Sequence, residues 1–94
     1  MTRKPKLDKN INKDVVLCKT TNHRVSNRTI AVLLQDSIAF TKNWKRVPFY
    51  KREAYQGASE VCVISINRNE YVQARRSIQK LERNYRDRLL LNVI

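Results

Sequence analysis

The stretch Glu60–Arg88, EVCVISINRNEYVQARRSIQKLERNYRDR, changes its apolar period partway along, and that change decides the fold class. From Glu60 to Ile66 five of the seven residues are apolar. Val61, Val63 and Ser65 lie on one side of an extended chain, and Cys62, Ile64 and Ile66 lie on the other. Both sides look covered, which predicts a strand in the middle of a sheet. From Asn67 to about Arg88 there is neither Gly nor Pro, and Tyr71, Ala74, Ile78, Leu81 and Tyr85 recur at three- and four-residue spacing. That spacing predicts one amphipathic helix, with Asn67 as its cap and Glu70 completing a capping box. The polar side of the helix carries Arg75, Arg76, Lys80, Arg83 and Arg86.

Upstream, Asp14–Thr20 (DVVLCKT) is a short β-branched apolar run, long enough for a buried strand. Residues 20–27, TTNHRVSN, overlapping the end of that run, have no clear period and are expected to form a loop. Ser26 or Asn27 could then cap a second helix, because Ile30, Leu33, Leu34, Ile38 and Thr41 fall at helical spacing. Strands at TIAVLLQ and SIAF are the rival reading, favoured by the β-branching of Thr29, Ile30 and Val32. Pro48 excludes a central strand across its own position, and Gly57, the single glycine, marks a turn before Glu60. The terminal LLLNVI either prolongs the helix or forms a last strand.

The resulting order is strand, helix, strand or extended arm, strand, helix and a final strand. It matches the β-α-β-β-α-β order of a ferredoxin-like split sandwich, an α+β fold with two helices on one face of an antiparallel sheet. A winged-helix or mainly helical domain is the alternative. RNA-recognition modules share the β-α-β-β-α-β order, but their central strands present exposed aromatics and Gly. Glu60–Ile66 contains neither. Residues 1–13 are polar and carry five cations against one acid, so they read as a flexible basic arm preceding a single domain over 14–94.

Twenty Lys and Arg against eight Asp and Glu give a formal charge of +12 on 94 residues. Self-repulsion of that size disfavours a compact chain, and a polyanionic partner relieves it. Nucleic acid, DNA or RNA, is the expected partner, and an acidic protein surface is the alternative. The charge is densest over residues 42–59, where five cations meet one acid and Trp44, Phe49, Tyr50 and Tyr55 are interleaved. Lys42, Lys45, Arg46, Lys51 and Arg52 are candidate phosphate contacts, with Trp44 and Tyr50 as candidate stacking partners for unpaired bases. The competing reading buries Trp44 and Phe49 as packing residues, since a small domain seldom spares large aromatics.

Arg75, Arg76, Lys80 and Arg83 form the second candidate set, with Arg76, Lys80 and Arg83 as one stripe along the predicted helix. Against it, Glu82–Arg86 and Arg83–Asp87 pairs would merely solvate that face. Arg3, Lys4 and Lys6 of the arm form a third set, suited to a phosphate backbone or minor groove. The apolar run of the helix also admits a homodimer seam, although it is short and aromatic for one.

Catalysis is not expected. His23, the one histidine, sits in the polar loop with no orienting partner in the sequence, so a small basic ribonuclease is the remaining enzymatic alternative. Cys18 and Cys62, both in strand-like runs, read as buried thiols, and one histidine leaves the usual zinc sets unfilled. No metal or other cofactor is expected. The sequence has no apolar run of membrane-spanning length and no secretory signal pattern, so the expected setting is cytoplasmic, or nuclear in a eukaryotic or viral context.

Overall fold

The computed structural model describes residues 14–92. The basic arm with Arg3, Lys4 and Lys6 lies outside the described residues, as do Val93 and Ile94. The described chain is an α+β domain with the ferredoxin-like topology. Strands β1 (Asp14–Thr20), β2 (Phe40–Arg46), β3 (Glu60–Asn67) and β4 (Leu90–Leu91) form one antiparallel sheet in the order β2-β3-β1-β4. Helices α1 (His23–Gln35), α2 (Tyr71–Ile78) and the short α3 (Arg83–Arg86) complete the fold.

β3 is central, pairing with β1 on one side and β2 on the other. The register sorts its side chains into cross-strand rows. Phe40–Ile66–Val15, Lys42–Ile64–Cys18 and Trp44–Cys62–Thr20 lie on one face. Thr41–Ser65–Val16 and Asn43–Val63–Lys19 lie on the other. The first face carries the main core, where Cys18, Cys62, Ile64 and Ile66 pack with Val25, Val32 and Leu33 of α1 and Ala74 and Ile78 of α2. The second face holds a smaller cluster, Val47, Val61 and Val63, with Val16 and Tyr55 against it. A bulge between Val16 and Cys18 lets the consecutive residues Leu17 and Cys18 both enter the main core. The main-chain N–H of Asn92 donates to the Leu17 carbonyl, and its side-chain amide donates to the Val16 carbonyl, which ties the C-terminal segment to the bulge.

α1 begins earlier than the sequence predicts. Asn22, not Ser26 or Asn27, is its cap: the Asn22 Oδ1 accepts from the N–H groups of Arg24 and Val25 at 2.9 and 3.1 Å. Ser26 and Thr29 are buried within it, the Thr29 hydroxyl donating to the Val25 carbonyl at 2.8 Å. The polar His23, Arg24 and Ser26 hid the first turn of the amphipathic pattern. The helix also ends at Gln35, so Thr41 belongs to β2 and Ile38 reaches the core from beyond the helix.

The long helix expected over Asn67–Arg88 is divided. A 3-10 turn (Arg68–Glu70), capped by the Asn67 side chain, leads into α2, and α3 follows after a break at Gln79–Glu82. The register supplies the reason. Asn67 pairs opposite Asp14 and Leu90 opposite Lys19, so the crossover must retreat five residues of β1, about 17 Å. A straight helix of 22 residues would run about 33 Å and overshoot the edge where Leu90 must pair. The chain therefore unwinds through three-residue hydrogen bonds at Gln79, Lys80 and Leu81, and Leu81 turns into the core.

Candidate functional site

β2 is the longer of the two outer strands of the sheet, and its seven residues alternate between the two faces. Lys42, Trp44 and Arg46 share the helix-covered face, while Lys45 shares the opposite one. Lys42, Lys45 and Arg46 are all exposed. Their charges therefore line an edge and do not gather on one flat side. Arg46 pairs in register with Glu60, which places an acid at the end of the strand.

Trp44 is partly buried against the main core, and its ring is stacked with the His23 imidazole at 4.1 Å and 22°. One of the two proposed base-stacking rings is thus engaged by the fold. The same contact accounts for His23, which is the first residue of α1 and not part of a loop.

Beyond β2 the chain enters a 3-10 segment, Phe49–Tyr55, whose two ends are fastened to the second core cluster by Val47 and Tyr55. The Val47 N–H donates to the Ser59 carbonyl at 2.8 Å, and the Arg52 Nε donates to the Val47 carbonyl at 3.2 Å. Arg52 consequently contributes to holding the segment, whereas Lys51 is exposed and lies 6.0 Å over the Tyr50 ring. Gln56 and Gly57 close the segment with positive φ of 58° and 83°, so the single glycine stands at the turn that needs it.

Phe49 and Tyr50 project from this anchored segment. Phe49 is 80% exposed and Tyr50 71%, and their rings meet edge to face at 6.0 Å and 89°. The expectation that Phe49 packs in the core is overturned, and Phe49 joins Tyr50 as a contact candidate. Its signal was Pro48, which directs the chain away from the sheet just before it (φ −58°, ψ 145°).

The helical set is arranged differently. Arg76, Lys80 and Arg83 do not form one stripe, because α2 ends at Ile78 and Arg83 belongs to α3. Lys80 is bound to Asp36 at the end of α1, its Nζ 2.7 and 2.9 Å from the two carboxylate oxygens. The Ser77 hydroxyl donates to the same carboxylate, and the two partners hold Asp36 below the usual aspartate pKa range. Arg75 donates to the Tyr71 hydroxyl at 2.7 Å, and that hydroxyl in turn donates to the Asn92 carbonyl. Arg76 is exposed and, with Asp36 and Lys80, lines a shallow groove over α2. Glu82 pairs with Arg28 across the helices at 3.6 Å, in place of the expected partner Arg86. Arg86 donates instead to the Gln79 side-chain oxygen.

Cys18 and Cys62 are free and buried. Burial, with the nearby Cys62 as a smaller cause, pushes the Cys18 thiol up to about 12, so it carries no thiolate at neutral pH. The Ser26 hydroxyl and the Cys62 thiol meet at 3.3 Å in the core. Among the described residues no group of three His, Cys, Asp or Glu side chains could hold a metal ion. No helix among them is long and apolar enough to cross a membrane. Set beside protein-family models, curated proteins and solved structures, the chain matches none.

Proposed function

We propose that this domain binds nucleic acid without catalysing a reaction, in a regulatory or architectural role, through phosphate neutralisation along β2 and the turn that follows it. The observation that carries the reading is the run of exposed, unpaired cations along one strand edge and its turn. Arg24, Arg76, Arg83 and Arg88 are exposed without an ion pair among the described residues as well, but they are spread over the helical side. On the helical side Lys80 and Arg28 are paired with carboxylates, and Arg75 is engaged by a tyrosine. Along the edge and turn, Lys42, Lys45, Arg46 and Lys51 are exposed and make no ion pair among the described residues. Cations left unpaired in a chain of charge +12 keep their full attraction for a polyanion. Arg76 and Arg83, both exposed, are secondary contacts in this reading. The proposed setting is the cytoplasm, or the nucleus of a eukaryotic host.

Three or four neutralised phosphates release counterions, so the binding constant should fall with a log–log salt slope of about 2 to 3 on a single strand and about 3 to 4 on a duplex. Fluorescence anisotropy with labelled single-stranded DNA, duplex DNA and structured RNA across a salt series measures that slope. Binding that is absent, or flat with salt, for all three overturns the reading. Stoichiometric retention of one acidic protein after nuclease treatment would instead transfer the cationic edge to a protein partner.

A further inference from the structure

We infer that Phe49 and Tyr50 form a base-stacking platform, and that the polyanion held by the β2 edge is single-stranded nucleic acid with unpaired bases. The inference rests on the nucleic-acid reading and adds the class of strand.

Its first support is the cost of the arrangement. Burying a phenylalanine side chain is worth about 1.5–3 kcal/mol, and a domain of this size has little core to spare. The same segment does bury an aromatic, since Tyr55 packs on Val47, Val61 and Val63. Phe49 has no polar atom that would gain from water, yet it is the most exposed of the large apolar residues described.

The second support is preorganisation. The segment is held at both ends by Val47 and Tyr55, and internally by the bonds from Lys51 N–H to the Pro48 carbonyl and from Gly57 N–H to the Arg52 carbonyl, at 2.9 and 2.6 Å. The rings are presented by a fixed turn, so less ordering entropy is lost when a ligand covers them.

The third support is chemical complementarity. Every base has an apolar π-face that stacks on an aromatic ring, while its phosphate needs a cation close by. Lys51 is the next residue after Tyr50, and Lys45 and Arg46 precede the turn. A duplex hides its base faces, and two rings at 89° cannot enter one continuous stack. Bases seated on both rings must be splayed apart, which a single strand permits.

The experiment compares a labelled mixed-sequence 12-mer, single-stranded and as its duplex, over one matched series of salt concentrations. The proteins are the full chain, the Phe49→Leu/Tyr50→Leu pair and the Lys45→Gln/Arg46→Gln/Lys51→Gln triple. The inference expects the single strand to bind more tightly than the duplex. It also expects the ring variant to lose roughly tenfold or more on the single strand, from about 1–3 kcal/mol per stacked base, with its salt slope and duplex affinity unchanged. Phe49→Trp should retain single-strand affinity, which separates stacking from a loss of fold. If the ring variant binds the single strand within twofold of the parent while the charge variant is weakened, the platform is refuted and the nucleic-acid reading survives. If the parent binds neither strand form, nor structured RNA, both fall together.

Discussion

At the end of α1, Ser37 adopts φ of 58°, a left-handed conformation that a residue with a Cβ enters at a cost of about 1–2 kcal/mol. The turn it makes is a Schellman motif. The Ile38 N–H donates to the Leu33 carbonyl at 2.9 Å, the Ser37 N–H donates to the Leu34 carbonyl at 3.0 Å, and Leu33 and Ile38 are both buried in the core. Ser37→Gly removes the Cβ penalty and gives back part of the gain as unfolded-chain entropy. The expected net stabilisation is about 0.5–1 kcal/mol, or ~2–8 °C in Tm for a domain of this size. Thermal melts of the two proteins check it, and an unchanged or lowered Tm means the turn is not strained. This residue also shows why the helix boundary was hard to read. The sequence carries no Gly at that stop, and Ile38 keeps helical spacing after the helix has ended. At the other end, Asn22 is a standard cap, but the polar His23 and Arg24 and the buried Ser26 make the first turn look like polar loop. Phe49 was misplaced for the opposite reason: apolarity predicts burial, and its exposure depends on where Pro48 sends the chain.

The two sheet-covering helices are joined at their C-terminal ends by one carboxylate. Asp36 accepts from Lys80 and from Ser77, so the stop of α1 is fixed against the stop of α2. Those partners lower the Asp36 pKa, Lys80 foremost. An unfolded chain therefore takes up the Asp36 proton before the folded one does, and stability rises with pH through that window. The contribution is fully present above the unfolded aspartate value, about 4, and it is lost as pH falls through the lower folded value. Asp36→Asn should be less stable than the parent at pH 7, and the gap should narrow at pH 3. Urea denaturation at the two pH values checks this, and a gap independent of pH would assign the loss to packing alone. β3 was legible in advance because its signal is local, with apolar residues on both sides. The break in the second crossover was not, because the apolar period runs on through Leu81 and Tyr85. What stops the helix is the distance from Asn67 to the place where Leu90 pairs, and no window of sequence contains that distance.

Across the whole molecule the charge of +12 meets a sheet with one long open edge. On its outer side β2 turns the backbone groups of alternate residues away from β3, a template for edge-to-edge association. The apolar side of α2 and the break after it offer no rival seam, since Ala74 and Ile78 of the helix and Leu81 of the break are consumed by the core. Lys42, Lys45 and Arg46 answer the edge hazard, because two copies pairing through β2 would oppose like charges at roughly 1 kcal/mol per close pair in water. Edge protection alone would therefore explain these cations without any ligand. Two triple variants separate the accounts. Lys42→Thr/Lys45→Thr/Arg46→Thr removes the repulsion and should associate at concentrations where the parent sediments as a monomer. Lys42→Glu/Lys45→Glu/Arg46→Glu restores like-charge repulsion with the sign reversed, so it should sediment as a monomer under either account. Ligand binding distinguishes them: if the edge is a phosphate track, the glutamate variant loses affinity for every nucleic acid the parent binds. Nucleic-acid affinity unchanged in a monomeric glutamate variant would leave the edge cations with protection as their whole purpose, and would move the binding surface elsewhere.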